Sequence, residues 1–511
     1  MINRRELLAT GAAALALPAA GQAVAVPDVR AADPKWQAAY DKALKVLDAN
    51  VQMMPRFSKP VLIEGATYQG IWMECGPHEA LVYRKYRPDV ARNSHETFFE
   101  LQRADGQLPC NNKLAETGFG QIQMVVPIAA TALELARATG NDALLAMAYK
   151  ACAMWDAWLL KYRNTRGTGL TEGFCTYDTG HDNSPRWQGI PPQCPNKDAK
   201  RFPTGFALPR LCPDLSATTY GARLALAQMA KAQGLDDGPW LESAEAIRKS
   251  ILARLYVAED AAFYDLDADN KFVRVRGDIL TRVCGEHVVD QPLFDDLWTR
   301  QLHNPKAFWS SYPLPSIALD DPTFVRPITV NSWGGPAQAL TALRAPRWME
   351  HYGRPSELAH LLQKWAEALI NDMNFLQQLD PETGAFTQTD AKGYSPAALV
   401  MIDATWRLCG VVETPDELWW NARPGHPAAG RLSWPCDNRL TADMAYTKRG
   451  VSLTLGGKPV AHIDGTARLV TDTSGKPLAV VGIAETPRQV TLKWAGQSRH
   501  LSLKPNQRIN L

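Results

Sequence analysis

The chain has 511 residues, 46% hydrophobic and 21% charged, with a formal net charge of +2. These are the proportions of an ordinary globular protein, and the length exceeds what one hydrophobic core supports, so two domains are expected. The small net charge argues against a nucleic-acid partner, which would need a basic stripe.

At the N-terminus, Arg4-Arg5-Glu6-Leu7-Leu8 precedes an apolar stretch from Ala9 to Ala20 and then Ala23-Val24-Ala25. A basic start, a short apolar core and an A-x-A end predict a signal peptide over residues 1–25. The arginine pair followed by Leu-Leu makes it of twin-arginine type. The expected location is periplasmic or secreted, with no membrane partner once the signal is cleaved. No later run of about 18 apolar residues predicts a membrane helix.

From about Asp33 to Gly410, apolar residues recur at three- and four-residue spacing, the mark of amphipathic helices. The clearest spans are 36–51, 121–139, 142–162, 216–233, 238–256, 336–352, 355–373 and 395–408. Short turns such as Ala138-Thr139-Gly140-Asn141 alternate with long loops, notably 163–215 and 304–335. That rhythm predicts helical hairpins arranged in a ring, an (α/α)6 toroid over residues 26–410. After Gly410 the pattern changes to short alternating runs such as Val451-Ser452-Leu453-Thr454-Leu455, separated by Gly456-Gly457 and Ser474-Gly475. Residues 411–511 are expected to form a small antiparallel β-sandwich.

Nine cysteines occur, and Cys194 and Cys212, flanking a proline-rich loop, are one candidate disulfide. No C-x-x-C or His/Cys cluster suggests a metal. Asp265-Leu266-Asp267-Ala268-Asp269-Asn270 starts like a calcium loop, but Asn270 stands where glycine belongs. It reads as a polar hairpin turn. Neither metal nor cofactor is expected.

Gly180-His181-Asp182-Asn183-Ser184-Pro185-Arg186-Trp187 gathers an acid, an amide, a guanidinium and an indole in one loop. Sugar sites combine these groups: an aromatic face covers the ring, polar groups take its hydroxyls, and a carboxyl protonates the leaving oxygen. The run resembles the Gly-x-Asp-Asn/Phe-Ser-x-Arg/Met-Trp signature of trehalases, glycoside hydrolase family 63 and the mannosylglycerate hydrolases. The resemblance implies an inverting glycosidase on a helical toroid, a carbohydrate substrate, and Asp182 as general acid. It gives Asn183, Arg186 and Trp187 substrate-binding roles.

Other segments follow in the order of those families. In Gly70-Ile71-Trp72-Met73-Glu74-Cys75, Glu74 stands where the families have the aspartate of a Trp-x-Asp-Ser run, which implies that Trp72 and Glu74 grip the sugar. Gln102-Arg103-Ala104-Asp105-Gly106 resembles a structural turn. Asn331-Ser332-Trp333-Gly334-Gly335-Pro336 resembles a pocket-lining segment in which Trp333 would stack on a sugar ring. Phe375-Leu376-Gln377-Gln378-Leu379-Asp380-Pro381-Glu382-Thr383-Gly384 resembles the segment whose glutamate is the catalytic base in family 63. Gly393-Tyr394-Ser395-Pro396 resembles the helix start after it, implying that Gln377 and Tyr394 line the pocket.

Gln377 occupies the base's own position, and an amide cannot deprotonate water. Glu74, Asp178, Asp380, Glu382 and Asp390 are alternative carboxylates, with Glu74 preferred because it should already face the sugar. Two other classes remain open: a polysaccharide lyase using Tyr177, His181 or Tyr394, and a sugar-binding protein without catalysis.

Overall fold

The structure is a computed structural model that describes residues 25–326 and 329–511. The expected signal peptide lies, Ala25 excepted, outside the described residues. The helices are α1 (Pro34–Ala49), α2 (Gly76–Tyr83), α3 (Pro88–Glu100), α4 (Ile128–Thr139), α5 (Asp142–Tyr162) and α6 (Pro213–Ala232). They continue with α7 (Gly238–Arg254), α8 (Ile279–Gly285), α9 (Gln291–Leu297), α10 (Ala339–Met349), α11 (Pro355–Asp372) and α12 (Ser395–Cys409).

Local chemistry sets their ends. Asp33 accepts the N–H groups of Lys35 and Trp36 at 2.7 and 3.0 Å, capping α1. Gly140, at φ 60°, ends α4 in the left-handed region, and Asn141 caps α5 by accepting the Leu144 N–H at 3.0 Å. The chain thereby reverses within four residues. Helix α5 has the expected bounds, whereas α4 starts at Ile128 rather than Gln121, because Gln123 takes a φ of 45° that no helix accepts. Helices α2 and α8 escaped the periodicity because they are buried almost all round and carry no apolar stripe.

Each even-numbered helix packs on the next, α2 on α4, α4 on α6, α6 on α8, α8 on α10, α10 on α12, and α12 packs on α2. Helices α3, α5 and α7 lie on α2, α4 and α6, while α1 and α11 flank α12. Short strands tie the intervening loops together. Gly70–Trp72 pairs with Asn111–Lys113, and Ala337–Gln338 pairs with Gln378–Leu379. The polar turn after Asp265 is the expected hairpin, with Asp265 opposite Val273.

From Val411 onward the chain supplies six strands of a seven-stranded antiparallel sheet and all five of a second. Strands begin well before Met444, where the alternating pattern becomes readable, because Glu417–Ala422 (Glu-Leu-Trp-Trp-Asn-Ala) carries tryptophans on both sides. The seven-stranded sheet has Asp28–Arg30 at one edge, with Val29 opposite Leu432. The start of the described chain therefore belongs to the sheet built from its end. Trp406 of α12 meets Trp434 edge to face with ring centres 4.8 Å apart, and Arg468 clasps Glu350 through two 2.7 Å bonds. These contacts join helices and sheets over one continuous core.

The nine cysteines are buried and unpaired. The candidate Cys194–Cys212 link is corrected: Cys194 Sγ lies 3.7 Å from Cys175 Sγ, while Cys212 sits with Asp214 and Asp265.

Candidate active site

The loop at 180–187 divides into a locked half and an open half. Arg186 is 2% exposed, and its guanidinium is fully engaged. It binds Asp214 through two 2.7 Å bonds and Asp265 at 2.7 and 2.6 Å, and it donates to His181 Nδ1 at 2.8 Å. Because arginine only donates, His181 Nδ1 must accept, and its proton sits on Nε2 facing Asp278. Burial, then Arg282, lowers the imidazole to about 4, so this ring is neutral. Trp187 is also 2% exposed; its indole N–H donates to Thr179 Oγ1 at 2.8 Å and the Arg210 guanidinium covers its ring. In this arrangement the polar groups of Arg186 and Trp187 are taken up by other residues of the protein. Their bonds to Asp214, Asp265, His181 and Thr179 tie the loop to its surroundings.

Asp182 faces the other way. Its Oδ2 accepts from Asn331 Nδ2 at 2.8 Å, and its carbonyl accepts the Trp333 N–H at 2.9 Å. Burial, reinforced by the charge of Glu74, pushes its carboxyl up to about 8. Asn183, at φ 55° and exposed, donates to the Asn331 carbonyl at 2.7 Å. Its side-chain oxygen stays open to solvent or ligand.

Glu74 reaches the same place from the start of α2. Gly180 has φ 63°, and a Cβ there would lie 1.7 Å from Glu74 Oε2, so only glycine lets the carboxyl rest against the acid's loop. Burial raises Glu74, while Arg344, Arg282 and hydrogen bonding to Gln123 pull it back. Arg344 spends one donor on the Glu74 carbonyl at 3.1 Å, and its Nε has no partner.

Two further buried carboxylates lie beside Glu74: Glu79, at the end of the same run and able by its sequence position to reach the rim, and Glu64, which no motif marked. Carboxyl oxygens of Glu64 and Glu74 and the Cys75 sulfur lie within 4.8 Å of one another. Glu64 accepts from Tyr394 at 2.7 Å, and burial with the charges of Glu79 and Glu74 raises it well above the usual carboxylate range. Glu79 is fully buried, neither oxygen has a close hydrogen-bond partner among the described residues, and burial pushes it up to about 8 although the Cys75 thiol beside it pulls it back. An acid placed after the apolar run Val61-Leu62-Ile63 and before Gly65 was the available sign for Glu64.

Gln377 is 3% exposed and uses both ends of its amide, accepting from Tyr68 at 2.9 Å and donating to Asn331 Oδ1 at 2.9 Å. Tyr394, fully buried, is engaged with Glu64. Trp333 is 2% exposed, packed edge-on to His181 and under the Arg282 guanidinium. These three expected pocket residues thus bind other side chains. Trp72 remains partly exposed, with Tyr68 edge to face at 5.8 Å.

The other candidate bases are accounted for. Asp178 is sealed against Arg163 at 2.5 Å and accepts the N–H groups of Phe174 and Ile122. Asp380 caps its own turn through the N–H groups of Glu382 and Thr383, each at 2.9 Å. Glu382 pairs with Arg326, and Asp390 is exposed. Of the groups a lyase would use, His181 and Tyr394 are already bonded to carboxylates, which leaves Tyr177 half-buried.

The fold and the sequence have relatives. The mannosylglycerate hydrolase from Thermus thermophilus superposes with a TM-score of 0.58 at 17% identity, over 71% of this chain and 99% of that one. The neutral trehalase of Saccharomyces cerevisiae gives 0.54 at 13% identity, over 71% and 79%. A family 78 rhamnosidase of Bacillus sp. GL1 gives 0.53 at 12%, over 86% of this chain and 40% of that one. A comparison with curated proteins gives no match. Residues 68–395 match the model of the mannosylglycerate hydrolase MGH1-like glycoside hydrolase domain. This segment runs from Tyr68 to Ser395 and so holds Glu74, Asp182, Asn331 and Gln377; the chain belongs to the MGH1-like glycoside hydrolase family and is a glycosidase.

Proposed function

We propose that this enzyme cleaves the glycosidic bond of a small glycoside or oligosaccharide with inversion, Asp182 serving as general acid and Glu74 as base. One observation carries the reading: the two carboxyls share a buried site but have unlike surroundings. Asp182, pushed up to about 8 with no arginine as partner, keeps its proton at neutral pH. Glu74 is raised by burial as well, but the fields of Arg344 and Arg282 pull it back towards its ionised form. Asp182 then gives its proton to the leaving oxygen as the bond to the anomeric carbon breaks. Glu74 takes a proton from the water attacking the opposite face. Inversion requires room for that water, a carboxyl separation of roughly 6.5–9.5 Å. Trp72 would cover the sugar ring, and the free oxygen of Asn183 would take a hydroxyl.

The ring of packed even-numbered helices supports reading residues 26–410 as an (α/α)6 toroid, and the two sheets support a β-sandwich at 411–511. Export through a twin-arginine signal, with no membrane partner after its cleavage, rests on the N-terminal sequence, and the small net charge argues against a nucleic-acid partner. The Thermus thermophilus enzyme has been seen with glucose and with D-glycerate, so a hexoside of a small acid or sugar is the substrate class to try first.

The test is a panel containing mannosylglycerate, trehalose, other disaccharides and uronic-acid polymers, read by proton NMR at early time. Release of a sugar with inverted anomeric configuration is expected. Retained configuration, or an unsaturated product, would reject the mechanism.

A further inference from the structure

An amide chain with a fixed direction connects Gln377 to the acid. Tyr68 donates to Gln377 Oε1 at 2.9 Å, Gln377 Nε2 donates to Asn331 Oδ1 at 2.9 Å, and Asn331 Nδ2 donates to Asp182 Oδ2 at 2.8 Å. Each amide has one accepting and one donating end, so with Tyr68 as the donor the rest of the chain follows. The Tyr68 hydroxyl has Gln377 as its acceptor, which turns the Gln377 NH2 group toward Asn331 and the Asn331 NH2 group toward the acid. Asn331 is anchored as well, because its carbonyl accepts from Asn183 at 2.7 Å.

We propose that Gln377 is a positioning residue that, through Asn331, occupies Asp182 Oδ2 and so keeps the transferable proton on Oδ1. This rests on the reading of Asp182 as general acid. A protonated carboxyl has one O–H, and an oxygen that already accepts an N–H is the poorer place for it. A glutamate at 377 would reverse the chain. Its carboxylate has no N–H for Asn331 Oδ1, so Asn331 would rotate to donate to it and present Oδ1 to Asp182. That oxygen would draw the acid's proton away from the substrate, onto Oδ2. The amide at 377 is thus matched to the wiring of this chain, and the water-activating task falls to another carboxylate.

Three variants test it: Asp182→Asn, Gln377→Glu and Asn331→Asp. Asn331→Asp keeps the shape and still accepts from Gln377, but loses the donor to Asp182. It guards against loss of folding as the cause of any effect. Activity is followed on mannosylglycerate across pH. The protonated carboxyl of Asp182 is followed by infrared difference spectroscopy, assigned by its loss in Asp182→Asn, a readout that needs no turnover.

Losing the donor or adding a negative charge both disfavour the Asp182 carboxylate, so its titration should move to higher pH by about one pH unit or more in either variant. The kcat should fall about tenfold or more with little change in KM, because the loss is in proton delivery. A kcat that rises in Gln377→Glu would mean that a missing base had been restored, and would overturn the proposal. So would an unmoved titration in Asn331→Asp. Wild-type kcat in Asp182→Asn would instead defeat the acid assignment. An inactive Asp182→Asn beside unchanged Gln377→Glu and Asn331→Asp would defeat the relay alone.

Discussion

Two buried acid clusters lie side by side in the helical region, and they are built on opposite terms. In one, each aspartate has a guanidinium: Asp214 and Asp265 with Arg186, Asp278 with Arg282, just as Asp178 elsewhere has Arg163. Despite burial, the arginine contacts pull Asp214 down to about 2. In the other, Glu64, Glu74, Glu79 and Asp182 make no ion pair among the described residues, and all four are raised. Their partners among the described residues are a phenol, amides and, for Glu79, no more than the Cys75 thiol. Charge-matched acids hold loops in place. Of the unmatched acids, Asp182 and Glu79, raised to about 8, keep protons at neutral pH, while the Arg344 and Arg282 fields leave Glu74 the one to ionise.

The comparison can be broken first at Arg186. Replacing it by methionine leaves Asp214 and Asp265 buried without a counter-charge, a loss of about 3–5 kcal/mol for a broken buried pair. Denaturant unfolding should show it; an unchanged midpoint would mean that the matched cluster contributes nothing to the fold. The unmatched cluster should respond in the opposite sense. Glu74→Gln is expected to lower kcat by about 10²–10⁴ while leaving Tm equal or higher. A fall in Tm with kcat preserved would place Glu74 with the structural acids.

The pH dependence of stability sharpens the contrast. Asp182 and Glu79, both at about 8 in the folded protein, stay protonated where the unfolded chain has lost those protons, from about pH 4 upward. The folded state binds more protons over that window, so their contribution is full below about pH 4 and is lost as pH rises through 8. Asp214, at about 2, acts in reverse: its contribution is present above about pH 4 and is lost as pH falls through 2. Tm should therefore decline from weakly acid to weakly alkaline pH, and Glu79→Gln should flatten part of that decline. A slope identical to wild type would show that Glu79 is ionised. The smallest effect belongs to the rim: Trp72→Ala should raise KM about tenfold with kcat nearly unchanged. An unaltered KM would remove Trp72 from the sugar's path.

Much of this was legible in the sequence. Helix α5 could be read residue by residue because one face alternates at helical spacing and Asn141 signals its start. The acid loop and its neighbouring motifs could be picked out in the sequence, and the structure brings Asp182 to Asn331, Asn331 to Gln377 and Glu74 to Gly180. What stayed hidden has common causes. Fully buried helices such as α8 have no polar face to reveal a period. The pairing of Asp28–Arg30 with a strand some four hundred residues later is non-local. The roles within the acid loop could not be read either, because residue type alone does not say whether a guanidinium is already satisfied. Arg186 finds its acids at 214 and 265, far from the motif. Asn331 was in a quoted motif, yet only geometry shows it carrying a bond from Gln377 to the acid.

The most direct measurement is the activity and thermal stability of Asp182→Asn and Asp265→Asn side by side, on a substrate with a poor leaving group. The account predicts that Asp182→Asn folds as well as wild type and loses kcat by at least about a hundredfold, while Asp265→Asn loses Tm. Full activity in Asp182→Asn, or an equal loss of stability in the two, would contradict the division between matched and unmatched acids on which the mechanism stands.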